Sequence, residues 1–109
     1  MDARELIAAY ERILGITGGM LQAAREEEWD RLVALEKTCR TEIDRLVALG
    51  DDTPELPSPL RARKAQIIRD VLADDAEIRR LVEPGLARLE QLIGDARNQR
   101  RLVQAYGAT

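Results

Sequence analysis

Residues 26–50 read EEEWDRLVALEKTCRTEIDRLVALG, and this stretch decides the fold. Trp29, Leu32, Val33, Glu36, Cys39, Ile43, Leu46 and Val47 recur three and four positions apart, a spacing that puts side chains on one face of an α-helix. The acidic run Glu26–Glu28 suits the start of that helix, because negative charge meets the unpaired amides and the positive end of the dipole. Gly50 stops it, and the cluster from Asp51 through Thr53, Pro54 and Pro57 to Pro59 reads as a loop. A helix over about 28–49 is expected.

The pattern extends in both directions. Upstream, Asp2 and Glu5 have capping-box spacing, and apolar or near-apolar residues follow at Leu6, Tyr10, Ile13, Leu14, Thr17, Leu21 and Ala24. This predicts a helix over about 3–26. Gly15, Gly18 and Gly19 lie inside it, each about 1 kcal/mol worse than alanine in a helix interior, so a bend there is expected. Downstream, Ser58 resembles an N-cap with Pro59 at the first helical position. Leu60, Ile67, Ile68, Val71 and Leu72 then share a face. Asp74 and Glu77 repeat the capping-box spacing, which predicts a break between a helix over 59–73 and another over 75–106. Pro84 should kink the latter, and Gly94 with the polar stretch from Asp95 to Arg101 should loosen its distal half. No strand-period alternation occurs, so the expected fold is all-α: an antiparallel bundle of about four helices in a single domain over 1–109.

Composition narrows the function. The 109 residues are 45% hydrophobic and 34% charged, with a formal charge of −3. That balance argues against a dedicated nucleic-acid binder, which carries a basic excess. No apolar run approaches the ~20 residues of a membrane span and no signal-peptide pattern opens the chain, so a cytoplasmic protein without membrane insertion is expected. There is no histidine, one cysteine (Cys39) and one serine (Ser58). Hydrolytic triads, Cys-His dyads and the usual zinc or di-iron sites need residues this chain lacks. No enzyme chemistry, cofactor or metal is expected. Residues 1–58 carry −6 and residues 59–109 carry +3, a complementarity that favours antiparallel packing and could also steer partners.

The remaining motifs have ordinary explanations. Gly15-x-x-Gly18-Gly19 lacks the preceding strand and following Lys-Ser or Lys-Thr of a phosphate-binding loop, so it reads as a bend or a close helix approach. The pairs Asp51/Asp52 and Asp74/Asp75 suit turns and caps better than a cation. Arg97, Arg100 and Arg101, with no aromatic residues between them, read as a solvated face. Leu102, Val103 and Tyr106 form an apolar end after polar turns. They could belong to an ordinary docked helix or to one that detaches.

The layout of residues 3–107 resembles the flagellar export chaperone family FliT. The features that carry the likeness are Tyr10 in an amphipathic first helix and the acidic run into Trp29, Asp30 and Leu32. Asp74, Ile78, Arg79, Leu81, Pro84, Leu86 and Leu89 follow, and Ala105-Tyr106 closes the pattern. The glycine cluster is not part of it. The resemblance implies binding to the C-terminal region of the filament cap protein FliD, prevention of its premature assembly, and delivery to the export ATPase complex and export gate. In some lineages it extends to FlhC of the FlhDC master regulator and lowered DNA binding. It also implies that the last helix covers the binding surface, which makes 94–109 a detachable regulatory segment.

Recognition would then be helix-in-groove, along the stripes of the second and third helices. Stripe geometry nominates Leu32, Cys39, Ile43, Ile67, Ile68 and Val71 for the groove, and Leu102, Val103 and Tyr106 for the cover. Each would look the same as a plain core residue. Two other readings stay open: a helical adaptor or dimerisation module, and an anti-activator without an export client. A homodimer is compatible with all of them.

Overall fold

The computed structural model describes residues 2–50, 56–91 and 103–107, with Leu49, 85–91, Val103 and Gly107 described in their backbone only. Three α-helices, α1 (Ala3–Arg25), α2 (Trp29–Leu49) and α3 (Ser58–Gln91), precede a single π-helical turn, Val103–Gly107. The fold is all-α, as the periodicity predicts, and no strand occurs among the described residues.

The N-terminus of α1 is the predicted capping box. Asp2 Oδ1 accepts the Glu5 amide at 2.8 Å, and the Asp2 amide donates to Glu5 Oε2 at 3.3 Å. The helix is unbroken through its glycines. A Cβ at Gly15 or Gly18 would meet nothing within 4 Å, whereas one at Gly19 would lie 3.4 Å from Leu35 Cδ1. Only Gly19 therefore serves packing, at the approach of α1 to α2.

α1 and α2 are joined by three residues with a defined hydrogen-bond pattern. The Glu28 amide donates to Ala23 O at 2.8 Å and the Glu27 amide to Ala24 O at 3.2 Å, the two bonds of a Schellman motif. The motif needs a left-handed residue, here Glu27 at φ 58°. A side chain with a Cβ is disfavoured there by roughly 1–2 kcal/mol. Glu27→Gly is therefore expected to stabilise the protein by about 0.5–1 kcal/mol, after the entropy glycine adds to the unfolded chain. Thermal unfolding should show a midpoint a few degrees higher. A lowered midpoint would mean that the Glu27 side chain contributes more than its backbone costs.

The predicted break at Asp74 is absent: α3 runs continuously from Ser58 to Gln91. The acidic residues at capping-box spacing have other partners. Asp74 Oδ2 accepts the Thr17 hydroxyl of α1 at 3.0 Å, and Glu77 pairs with Arg80 at 2.6 Å. Helix entry also falls one residue earlier than expected, because the carbonyl of Pro57 accepts the Arg61 amide at 3.0 Å. Pro59 thus takes the second helical position, where its missing N–H is still harmless. Pro84 lies inside α3. The expectations for Asp51/Asp52, for Gly94, for Arg97, Arg100 and Arg101, and for a helix across 92–102 fall outside the described residues.

α1 is the central element. Both α2 and α3 pack along it, and its buried face (Leu6, Ala9, Ile13, Thr17, Met20, Ala23, Ala24) is rich in small residues that let two helices approach. Arg12 reaches Glu42 of α2 at 3.6 Å and Gly19 meets Leu35, so α2 runs antiparallel to α1. Arg63 of α3 holds Glu11 through two bonds at 2.7 and 2.9 Å, and Thr17 reaches Asp74, so α3 runs parallel to α1. Sequential helices are thus antiparallel. The Arg63 guanidinium keeps the Glu11 carboxyl below the usual carboxylate range, although both side chains lie in solvent. Leu32, Ile67 and Ile78 are the large side chains wholly withdrawn from water.

Candidate functional site

Because α2 and α3 both pack against α1, a groove opens between them. Its cavity, about 310 Å³, is floored by Thr17 and Met20 of α1. Glu36, Cys39, Arg40 and Ile43 form the α2 wall, and Val71, Leu72, Asp75, Ile78 and Arg79 the α3 wall. Ala105 and Tyr106 from the C-terminal turn complete the lining.

The walls carry similar charges in similar registers. On α2, Glu36 pairs with Arg40 four residues on; on α3, Asp75 pairs with Arg79 at 2.9 Å, again four residues on. All four residues line the cavity. Away from this collar the rim is apolar. Ile43 is 40% exposed and Leu72 63%, and one helical turn further along each helix lie Val47 and Ile68, also exposed. Antiparallel α2 and α3 place those two at the same end, so the apolar lips continue past the cavity.

Tyr106 is seated among these groups and is 8% exposed. The Arg79 guanidinium carbon lies 5.9 Å from its ring centroid, a cation–π distance. Its hydroxyl is sealed from solvent and finds no hydrogen-bond partner among the described residues. Burial, reinforced by the negative charges of Glu36 and Asp75, pushes its ionisation well above the usual tyrosine range, against a smaller opposing effect of Arg79. Cys39 responds in the same direction, burial first and then Glu36 and Asp75, so it stays a protonated thiol.

The residues nominated from the sequence separate into three groups. Cys39, Ile43 and Val71 line the groove, and Tyr106 is part of the same lining. Leu32 and Ile67 are wholly buried and support the bundle from inside. Ile68 is exposed at 38%, beyond the cavity lining. Leu102 lies outside the described residues, and Val103 is described in its backbone only. Stripe reading missed Met20, Arg40, Asp75 and Arg79, and the nominated set leaves out Glu36 and Leu72 although both lie on the stripes. Leu72 adjoins Val71 on the stripe, but no sequence signal told that Arg40 and Arg79 share one cavity. No group of three His, Cys, Asp or Glu residues suited to a metal occurs among the described residues, and no helix there is long and apolar enough to cross a membrane.

Such an arrangement defines a small helical-bundle protein with an apolar groove that is lined in part by its own C-terminal turn. The family model described as Flagellar protein FliT matches residues 7–108. The chain belongs to the FliT family of flagellar proteins, a chaperone-type family. It is 30% identical over 103 residues to the Flagellar protein FliT of Photorhabdus laumondii, covering 94% of this chain and 82% of the relative. It is also 30% identical over 107 residues to proteins of that name from Yersinia pseudotuberculosis and Yersinia pestis, covering 95% of this chain and 86% of each relative. No solved structure matches the chain.

Proposed function

We propose that this protein is a type III flagellar export chaperone that binds the C-terminal region of the filament cap protein FliD in the cytoplasm. It keeps FliD from assembling early and hands it to the export ATPase complex and export gate. The observation that carries this reading is the groove between α2 and α3, apolar at its lips and with Tyr106 of the C-terminal turn in its lining. A client helix with anchors at i, i+3, i+4 and i+7 fits between Ile43 and Val47 on one side and Leu72 and Ile68 on the other. The function is binding rather than catalysis.

Residues 94–109 act as the cover. A client that needs the groove binds with an apparent dissociation constant raised by the inverse of the open fraction. If about one molecule in ten is open, removing the cover tightens binding about tenfold. Calorimetric titration of a C-terminal FliD peptide from the same organism into the full chain and into residues 1–93 tests this. Saturable binding, tighter to the shorter chain, is expected. Equal binding would keep the chaperone and discard the cover. Absence of binding to either, with helical circular dichroism intact, would overturn the chaperone reading in favour of a helical adaptor.

A further inference from the structure

The seat of Tyr106 fits its ring and not its hydroxyl. The side chain is 8% exposed, Arg79 lies over the ring at 5.9 Å, and Met20, Val71 and Ile78 supply apolar surface within the same cavity. The phenolic oxygen is sealed from water and unpartnered among the described residues. A buried hydroxyl without a hydrogen bond forfeits the bonds it made to water, whereas a ring of the same shape without the hydroxyl forfeits nothing. The polar groups lining the cavity do not relieve it. Glu36, Asp75 and Cys39 line the cavity, but none of them makes a hydrogen bond to the phenolic oxygen.

We propose that this seat is an anchor subsite selective for an apolar side chain that lacks a hydroxyl, a phenylalanine ring above all. The chain's own tyrosine occupies it at a disadvantage. A partner helix that brings a phenylalanine, or a leucine of sufficient reach, displaces the C-terminal turn without needing more contacts than the turn itself makes. The hydroxyl thereby sets how easily the groove opens. The part that concerns a partner rests on the chaperone reading above; the selectivity of the seat does not.

Cys39 gives a test in the full chain, because it is the one cysteine, is 7% exposed and lines the same cavity as Tyr106. The rate of its reaction with a small maleimide, measured at pH 8 in native buffer, reports how often the seat is vacated. Tyr106→Phe is expected to slow labelling about five- to thirtyfold, and Tyr106→Ala to speed it. The urea midpoint of Tyr106→Phe should rise as well, so the same effect is read even if labelling proceeds through global unfolding. Labelling as fast as the parent's, or an unchanged or lower midpoint, would overturn the proposal. By linkage, Tyr106→Phe should also weaken binding of the FliD peptide by the factor seen in labelling. Slower labelling with unchanged peptide affinity would uphold the seat and overturn only the competition between turn and client.

Discussion

Leu32→Ala is expected to lower the unfolding free energy by about 3 kcal/mol, and Ile67→Ala by a similar amount, while Ile43→Ala costs under about 1 kcal/mol. All three sit on stripes that the sequence presents as equivalent. Leu32 and Ile67 are 0% exposed, so truncation removes buried methyl groups and leaves a cavity that surrounding helices close only in part. Ile43 is 40% exposed at the open groove, so truncation there removes less buried surface and leaves no sealed cavity. For a domain with a total stability near 5–15 kcal/mol, 3 kcal/mol is a large displacement of the urea midpoint. The functional consequences should separate in the opposite sense. Ile43→Ala should weaken client binding in a folded protein, whereas any loss in Leu32→Ala should follow the fraction unfolded. A Leu32→Ala cost below about 1 kcal/mol would return that residue to the groove and enlarge the proposed site.

Why the stripes do not tell core from groove is a matter of geometry. Period-3.6 spacing states which face of a helix is apolar, and it located α1 and α2 to within a few residues. The side chains of one stripe meet different surroundings according to which neighbour stands opposite. Leu32 and Cys39 share a face of α2 and both are buried, yet Cys39 lines the groove and Leu32 does not. That division follows from α2 and α3 both choosing α1, a choice made by the small residues Ala9, Gly19, Ala23 and Ala24 together with cross-helix partners such as Glu11–Arg63. Local rules misled at Asp74 for a related reason. An acid three residues ahead of a glutamate caps a helix only if its backbone amides need caps; inside α3 they are already paired, and the side chains turn to Thr17 and Arg80. The terminal tyrosine was legible as an apolar end, but its orphaned hydroxyl is a property of the seat and has no sequence signature.

The Thr17–Asp74 hydrogen bond fixes the level at which α3 meets α1, and Thr17→Val is expected to cost about 2 kcal/mol. Thr17 is 4% exposed, and its hydroxyl lies 3.0 Å from Asp74 Oδ2 and equally 3.0 Å from the carbonyl of Leu14 in its own helix. One proton serves both acceptors, and the carboxylate is the stronger one, since bonds to charged groups contribute about 1.5–3 kcal/mol. Valine matches threonine in shape, so the substitution opens no cavity. It removes the donor and leaves a half-buried carboxylate facing a methyl group. Asp74→Asn should cost less, because the amide oxygen still accepts. Asp74→Ala removes the acceptor altogether, and Thr17→Val with Asp74→Ala should fall short of the sum of those two single changes by about 1 kcal/mol or more, the coupling of a direct contact. Urea unfolding of the four proteins measures it. Additive costs would mean that water satisfies Asp74, and the register of α3 would then rest on Glu11–Arg63 and apolar packing alone. A coupled result has a consequence for the groove, because Thr17 forms its floor and Asp75 its wall. Loosening the bond would let the α3 wall shift relative to α2, and client affinity should fall in Thr17→Val even where the protein remains folded.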